Sequence, residues 1–143
     1  MPERMGEIMG TWKADPFGND TACDWQRGLD NVHDLRLIKD AIRKIHGAGM
    51  EYLEAPDAEE AIAAADTIAR LKGRFYVKNA YTKSVDDWVA KHNLDLPQEF
   101  VDSAIEAVDR ILTPPSELLE LWEESDEFES WKRHLEDLKT RLR

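Results

Sequence analysis

Ala55-Pro56-Asp57-Ala58-Glu59-Glu60-Ala61-Ile62-Ala63-Ala64-Ala65-Asp66-Thr67-Ile68-Ala69-Arg70-Leu71 reads as one long amphipathic helix. Pro56 suits the first helical position, where its missing N–H would have had no partner anyway. Asp57, Glu59 and Glu60 set negative charge against the positive end of the helix dipole. Ala58, Ala61, Ile62, Ala65, Ile68, Ala69 and Leu71 recur at the spacing of one helical face. Six alanines between Pro56 and Leu71 let neighbouring helices approach closely. Gly73 marks the end of the helix.

Other helical segments flank it on both sides. Upstream, Gly10, Pro16, Gly18 and Asn19 make a turn-rich stretch, and Asn19 or Asp20 can cap a helix from about Thr21 to Leu29. Asn31 offers the cap for a second helix with Val32, Leu35, Ile38, Ile42 and Ile45 on one face, ending at Gly47 and Gly49. Downstream, residues 74–83 are aromatic and β-branched but would form a lone strand, so an ordered loop is expected. Ser84 then caps a short helix Val85–His92, with Asp87 as the capping-box partner. Pro97 opens a fifth helix faced by Phe100, Val101, Ala104, Ile105, Val108, Ile111 and Leu112, stopped by Thr113-Pro114-Pro115. Ser116 caps a sixth with Leu118, Leu119, Leu121 and Trp122. The last carries Phe128, Trp131, Leu135, Leu138 and Leu142 at helical spacing. The pattern predicts an all-α, single-domain bundle of five to seven helices with short loops, spanning 9–143 after a flexible extension 1–8.

The totals agree with one domain: 143 residues against a usual range of about 100–200. A hydrophobic fraction of 42% separates the chain from disordered sequences. Cys23 is the sole cysteine, so no intrachain disulfide forms, which favours a reducing compartment. No apolar run is long enough to span a membrane, and the first residues lack a signal-peptide core. The expectation is a cytoplasmic protein.

The net charge of −11 is regional. From Asp95 to Glu129 there are twelve acids and one base, Arg110, while the rest of the chain balances at 18 of each. Glu99, Asp102, Glu106 and Asp109 follow one another along one side of the fifth helix, and Glu120 and Glu123 continue the acidic run in the sixth. Such a face either serves solubility or docks a basic protein. Its sign disfavours a nucleic-acid backbone as partner.

Catalytic templates are absent: no phosphate loop, His-Glu-x-x-His, Cys-x-x-Cys or Gly-x-Ser-x-Gly occurs. None of His33, His46, His92 and His134 has another histidine one helical turn away, so no metal site is signalled. Asp15, Asp20 and Asp24 crowd one turn, but their spacing does not match a calcium loop. Cys23 falls in a first helical turn, yet Asp20 and Asp24 oppose a thiolate there, and an inert thiol is expected. Arg74, Lys78 and Lys83 interleave with Phe75, Tyr76 and Tyr81 in a single-strand-binding pattern; packing of those rings onto the helices is the expected arrangement. No cofactor, catalytic residue or metal ligand is assigned, and the oligomeric state is open.

Several pieces together resemble the domain of unknown function 4259 family. They begin with Gly10-Thr11-Trp12, Phe17, Asn19-Asp20, Ala22 and Asp24-Trp25. They resume at Tyr52-Leu53-Glu54-Ala55-Pro56 with the helix Glu60–Ala69. They end with Ala107-Val108-Asp109-Arg110-Ile111-Leu112, Ser116-Glu117-Leu118 and Leu121-Trp122-Glu123-Glu124. The chain departs from the resemblance at its N-terminal extension and at 74–83. The resemblance implies a small, mainly helical bacterial protein without an assigned activity, so it carries over no catalytic residue. Trp12, Phe17, Asn19, Asp20, Asp24, Trp25, Ser116, Glu117 and Trp122 would lie together if they formed one site; a folding nucleus of caps and tryptophan contacts gives the same pattern.

Three functions follow as expectations. The first is a non-enzymatic interaction protein using the acidic face 95–129. The second is an immunity-type protein neutralising a cognate toxin through that face. The third is an enzyme with carboxylates around Asp20, Asp24 and Glu117.

Overall fold

The computed structural model describes residues 14–143. Among these, seven α-helices occur: α1 (Asp20–Arg27), α2 (Arg36–Ala48), α3 (Ala55–Leu71), α4 (Lys83–Lys91), α5 (Gln98–Ile111), α6 (Glu117–Glu123) and α7 (Phe128–Leu142). Short 3-10 turns cover Gly28–Asn31 and Ala80–Thr82. No strand forms among the described residues, so the all-α bundle read from the periodicity is the fold. Trp12 and the extension 1–8 lie outside the described residues.

The alanine-rich helix is the axis of the bundle. Every other helix among the described residues touches α3, and all residues from Ala61 to Arg70 are buried. Alanine explains this: a side chain of one methyl lets helices close in on every side with little loss of side-chain entropy. The apolar stripe expected from sequence therefore understates the burial. Ala63, Ala64, Asp66, Thr67 and Arg70 are as enclosed as the stripe itself.

Helix ends are fixed by a mixture of foreseen and unforeseen groups. Asn19, not Asp20, caps α1, its Oδ1 accepting from Ala22 N at 2.7 Å. Ser116 caps α6, with Leu119 N 3.5 Å from its Oγ. Pro97 precedes α5 as its N-cap residue. Four expectations are corrected. Asn31 closes a 3-10 turn; α2 starts later, after Asp34, whose Oδ1 accepts from Arg36 N at 3.0 Å, and Val32 lies outside the helix. Ser84 sits inside α4 because Asn79 and Thr82 already form a capping box on the preceding 3-10 turn. Asp87 pairs with Lys83 at 2.9 Å instead of capping. Gly47 stays helical, and Gly49 ends α2 with φ 57°, a left-handed value that costs glycine little.

Loop 72–79 folds back over the end of α3. Arg70 Nη2 donates to the Val77 carbonyl at 2.7 Å, and the Phe75 ring covers the Arg70 guanidinium at 5.6 Å. Lys78 stands over Phe75 at 4.0 Å, and Tyr76 hydroxyl meets His134 Nε2 at 2.9 Å. The bases and rings of this segment thus engage one another and the helices, as expected for an ordered loop.

Candidate functional site

The described signature residues fall in several places, with Trp12 outside the described residues. Phe17 is buried against the Arg70 guanidinium, 5.5 Å from ring centroid to cation. Trp25 is core. Asn19 and Trp122 line a small pocket of about 10 Å³ together with Glu59, Ile62, Leu118 and Trp131. That volume is close to the least that admits one water. Trp122 stacks on Trp131 with centroids 5.8 Å apart and planes 9° apart.

Ser116 and Glu117 hold a separate junction. Leu53 N donates to the Pro115 carbonyl at 3.2 Å and Glu117 N to the Leu53 carbonyl at 2.8 Å, a short parallel bridge. The Glu117 carboxylate accepts from Ala55 N at 2.8 Å. A carboxylate there satisfies an orphan donor and complements the dipole of α3. Asp20 and Asp24 lie elsewhere. They line an open groove of about 340 Å³ with Cys23, Gln26, Arg27, Ala80, Tyr81 and Ser84. Asp24 is paired with Arg27 at 2.6 Å. Glu117 does not line that groove, so the three carboxylates named for an enzyme are split between two places.

Cys23 is half-buried and donates weakly to the Phe17 carbonyl at 3.5 Å. Burial pushes its thiol up, and Asp20 and Asp24 add to the shift against Arg27 and Gln26. Both the burial and the two aspartates work against thiolate formation.

Sequence reasoning missed a buried ionic network. Asp66, fully buried, accepts from Arg70 Nε at 2.6 Å, and Arg70 Nη1 reaches Asp86 at 2.6 Å. Arg141 Nη1 stands 2.6 Å from Asp66 Oδ1, charge against charge but off the hydrogen-bond line, and Arg141 Nε donates to Asp137 at 2.8 Å. Burial alone would lower the Arg70 guanidinium, but Asp66 and Asp86 outweigh it and raise it. The available signal was Asp66 and Arg70 four residues apart in an otherwise apolar helix. Gln26 was missed too. Buried, it donates to the Tyr81 carbonyl and accepts from Val85 N at 2.9 Å, joining α1 to the start of α4.

The acidic face has a definite layout. Glu99, Asp102, Glu106 and Asp109 are exposed along α5, and Glu120 and Glu123 along α6. The two rows approach at a groove of about 480 Å³. Asp109 and Glu123 line it, with Leu112, Pro114, Leu119 and Phe128 as its apolar surface and Lys132, Glu136 and Lys139 also around it. Arg110, the single base of 95–129, makes no ion pair with its acidic neighbours among the described residues. Its guanidinium donates to the carbonyls of Gly49, Glu51, Thr113 and Pro115 at 2.7–3.0 Å. Lys139 compensates Asp109 at 2.7 Å. Among the described residues no ion pair reaches Glu99, Asp102, Glu106, Glu120 or Glu123.

A family model for a domain of unknown function, number 4259, matches residues 10–134. The chain belongs to the domain of unknown function 4259 family. No curated protein and no solved structure matches it. The family match spans the turn before α1, the central helix, the acidic rows of α5 and α6, and the first half of α7. The last nine residues, 135–143, fall beyond it yet supply Leu135, Leu138, Arg141 and Leu142 to the core.

The field of this face shows in Tyr52. Its hydroxyl donates to Glu120 at 2.9 Å. Desolvation, that hydrogen bond, and the charges of Glu120, Glu117 and Glu54 push its ionisation up to about 12. The fold therefore favours the neutral phenol. This contribution to stability is present below an unfolded-state pKa of about 10 and is lost as pH rises towards 12. An absorbance titration of the folded protein should show a tyrosine step at about 12 that Tyr52→Phe removes. Glu120→Gln should bring that step down by about a unit. A titration curve that Tyr52→Phe leaves unchanged at that alkaline end would contradict this arrangement.

Proposed function

We propose that this is a non-enzymatic, cytoplasmic interaction protein that docks a basic protein on the face formed by α5, α6 and the groove between Asp109 and Phe128. One observation carries the reading. The only base within the acidic window turns its guanidinium to four backbone carbonyls, and among the described residues Asp109 alone of the row has an ion-pair partner, Lys139, while none reaches Glu99, Asp102, Glu106, Glu120 or Glu123. Uncompensated like charge destabilises a fold through self-repulsion, and a cationic partner relieves it and is steered to it. The apolar surface of the groove, Leu112, Leu119 and Phe128, gives such a partner an anchor where desolvation strengthens the contact. No helix among the described residues is long and apolar enough to cross a membrane.

Partners captured from cell extract and then purified provide the test. Their affinity should fall steeply between low and high salt. The double reversal Glu120→Lys, Glu123→Lys should weaken binding by about tenfold or more at low salt, with Asp40→Lys on α2 as the control reversal. Equal effects from the two, or no effect from the double reversal, would refute the acidic face as the docking surface.

A further inference from the structure

His33 and His92 are 59 positions apart in sequence, but the fold sets His33 Nδ1 3.2 Å from His92 Nε2. Trp88 brings this about. Its buried indole donates from Nε1 to the Val32 carbonyl at 2.9 Å, which ties the segment after the first 3-10 turn to α4. His33 is the next residue along that segment. His92, at the end of α4, lies on the Trp88 ring with centroids 4.4 Å apart and planes 23° apart. Its Nδ1 meets the Trp88 carbonyl at 2.8 Å. A carbonyl only accepts, so this contact requires the proton on Nδ1 and leaves the Nε2 lone pair facing His33 in the neutral ring. The two imidazole centroids are 5.4 Å apart, close to the N···N separation plus the two ring radii. The rings therefore meet nitrogen to nitrogen, with one proton shared between them.

We propose that His33 Nδ1 and His92 Nε2 together bind a divalent transition-metal ion of the zinc or nickel class, which replaces that shared proton. Two imidazole ligands of a tetrahedral ion with bonds of about 2.0–2.1 Å stand roughly 3.3–3.4 Å apart, and this pair is already near that spacing. Imidazole suits these ions. The hydrogen bond from His92 Nδ1–H to a backbone carbonyl is the outer contact that fixes a metal-binding histidine in the right tautomer. His92 is held by Trp88 on one side, and His33 is exposed and can turn its ring to bend the two lone pairs towards one ion. The pair opens on a pocket of about 340 Å³ that admits water for the remaining positions. Asp30, Asp87, Lys83 and Lys91 also line it, and Lys83 is already paired with Asp87. No group of three or more His, Cys, Asp or Glu side chains among the described residues is arranged to hold a metal, so the protein supplies two ligands and the solvent the rest.

Calorimetric titration of the untagged full chain with Zn²⁺ or Ni²⁺ tests the site. One ion per chain should bind in the micromolar range, and thermal unfolding should shift up by about 5–10 °C at a hundredfold excess over Kd. His33→Ala and His92→Ala should each weaken binding by about tenfold or more, while His46→Ala and His134→Ala leave it unchanged. His33 is exposed, so its variant also keeps the result readable if His92→Ala disturbs α4. Absence of saturable binding, or binding that survives both His33→Ala and His92→Ala, would overturn the proposal.

Discussion

Replacing Asp66 by alanine is expected to cost about 3–5 kcal/mol of stability, a third or more of what a domain of this size usually has. Its carboxylate is fully buried between Arg70 and Arg141. Removing it leaves two buried guanidinium groups facing each other's charge, with Asp86 and Asp137 as the remaining partners. The loss should exceed that of Asp137→Ala, because Asp137 is 45% exposed and water takes its place. Thermal unfolding should drop by roughly 10–15 °C. A second variant separates a lost attraction from a stranded charge. In Asp66→Leu with Arg141→Leu, one buried cation is gone and apolar volume replaces it, so part of the loss should return. Urea titration of the single and double variants gives the coupling. A loss below about 1 kcal/mol for Asp66→Ala would mean that water reaches this network.

Trp122→Ala should destabilise by a similar amount, about 3–5 kcal/mol, through a cavity and a lost ring stack. Trp122 is buried at the level of 2% exposure and lies parallel to Trp131, which in turn meets Phe128 at 6.3 Å. These three rings join α6 to α7. The change should therefore also flatten the near-ultraviolet circular dichroism of the tryptophans and loosen the groove that Phe128 and Leu119 line. Trp122→Phe keeps an aromatic face against Trp131 and should lose less. If the alanine variant unfolds like the native protein, the Trp122–Trp131 stack is not a support of the bundle.

The helices were legible because their determinants are local. Periodicity, Pro56, Pro97, Asn19 and Ser116 each act within a turn or two of the chain. Where the structure differs, either a neighbouring 3-10 turn takes over the local cap or a contact from far away replaces it. Ser84 looked like a cap, but Asn79 and Thr82 start an earlier turn, and Val85 N is satisfied by Gln26 from α1. Asn31 looked like a cap, but the chain first makes a 3-10 turn and begins α2 at Arg36. The acidic face was readable because exposed charge needs no partner to be noticed. The ionic network was not: Asp66, Arg70, Asp86 and Arg141 come together only when α3, α4 and α7 pack, and sequence order hides that. His33 and His92 are the same case, since the indole of Trp88 joins them through a backbone carbonyl no pattern marks.

Among the described residues, the six other helices all use α3 as their inner wall. The bundle therefore has no half that retains a core once α3 is exposed. Amide protons along Ala61–Arg70 should exchange only when the whole domain opens, at rates set by its global stability. Loops such as 72–79 and the ends of α6 should exchange through smaller openings. A domain built in this way unfolds in a single step, so a ligand bound anywhere on its surface slows exchange at its centre.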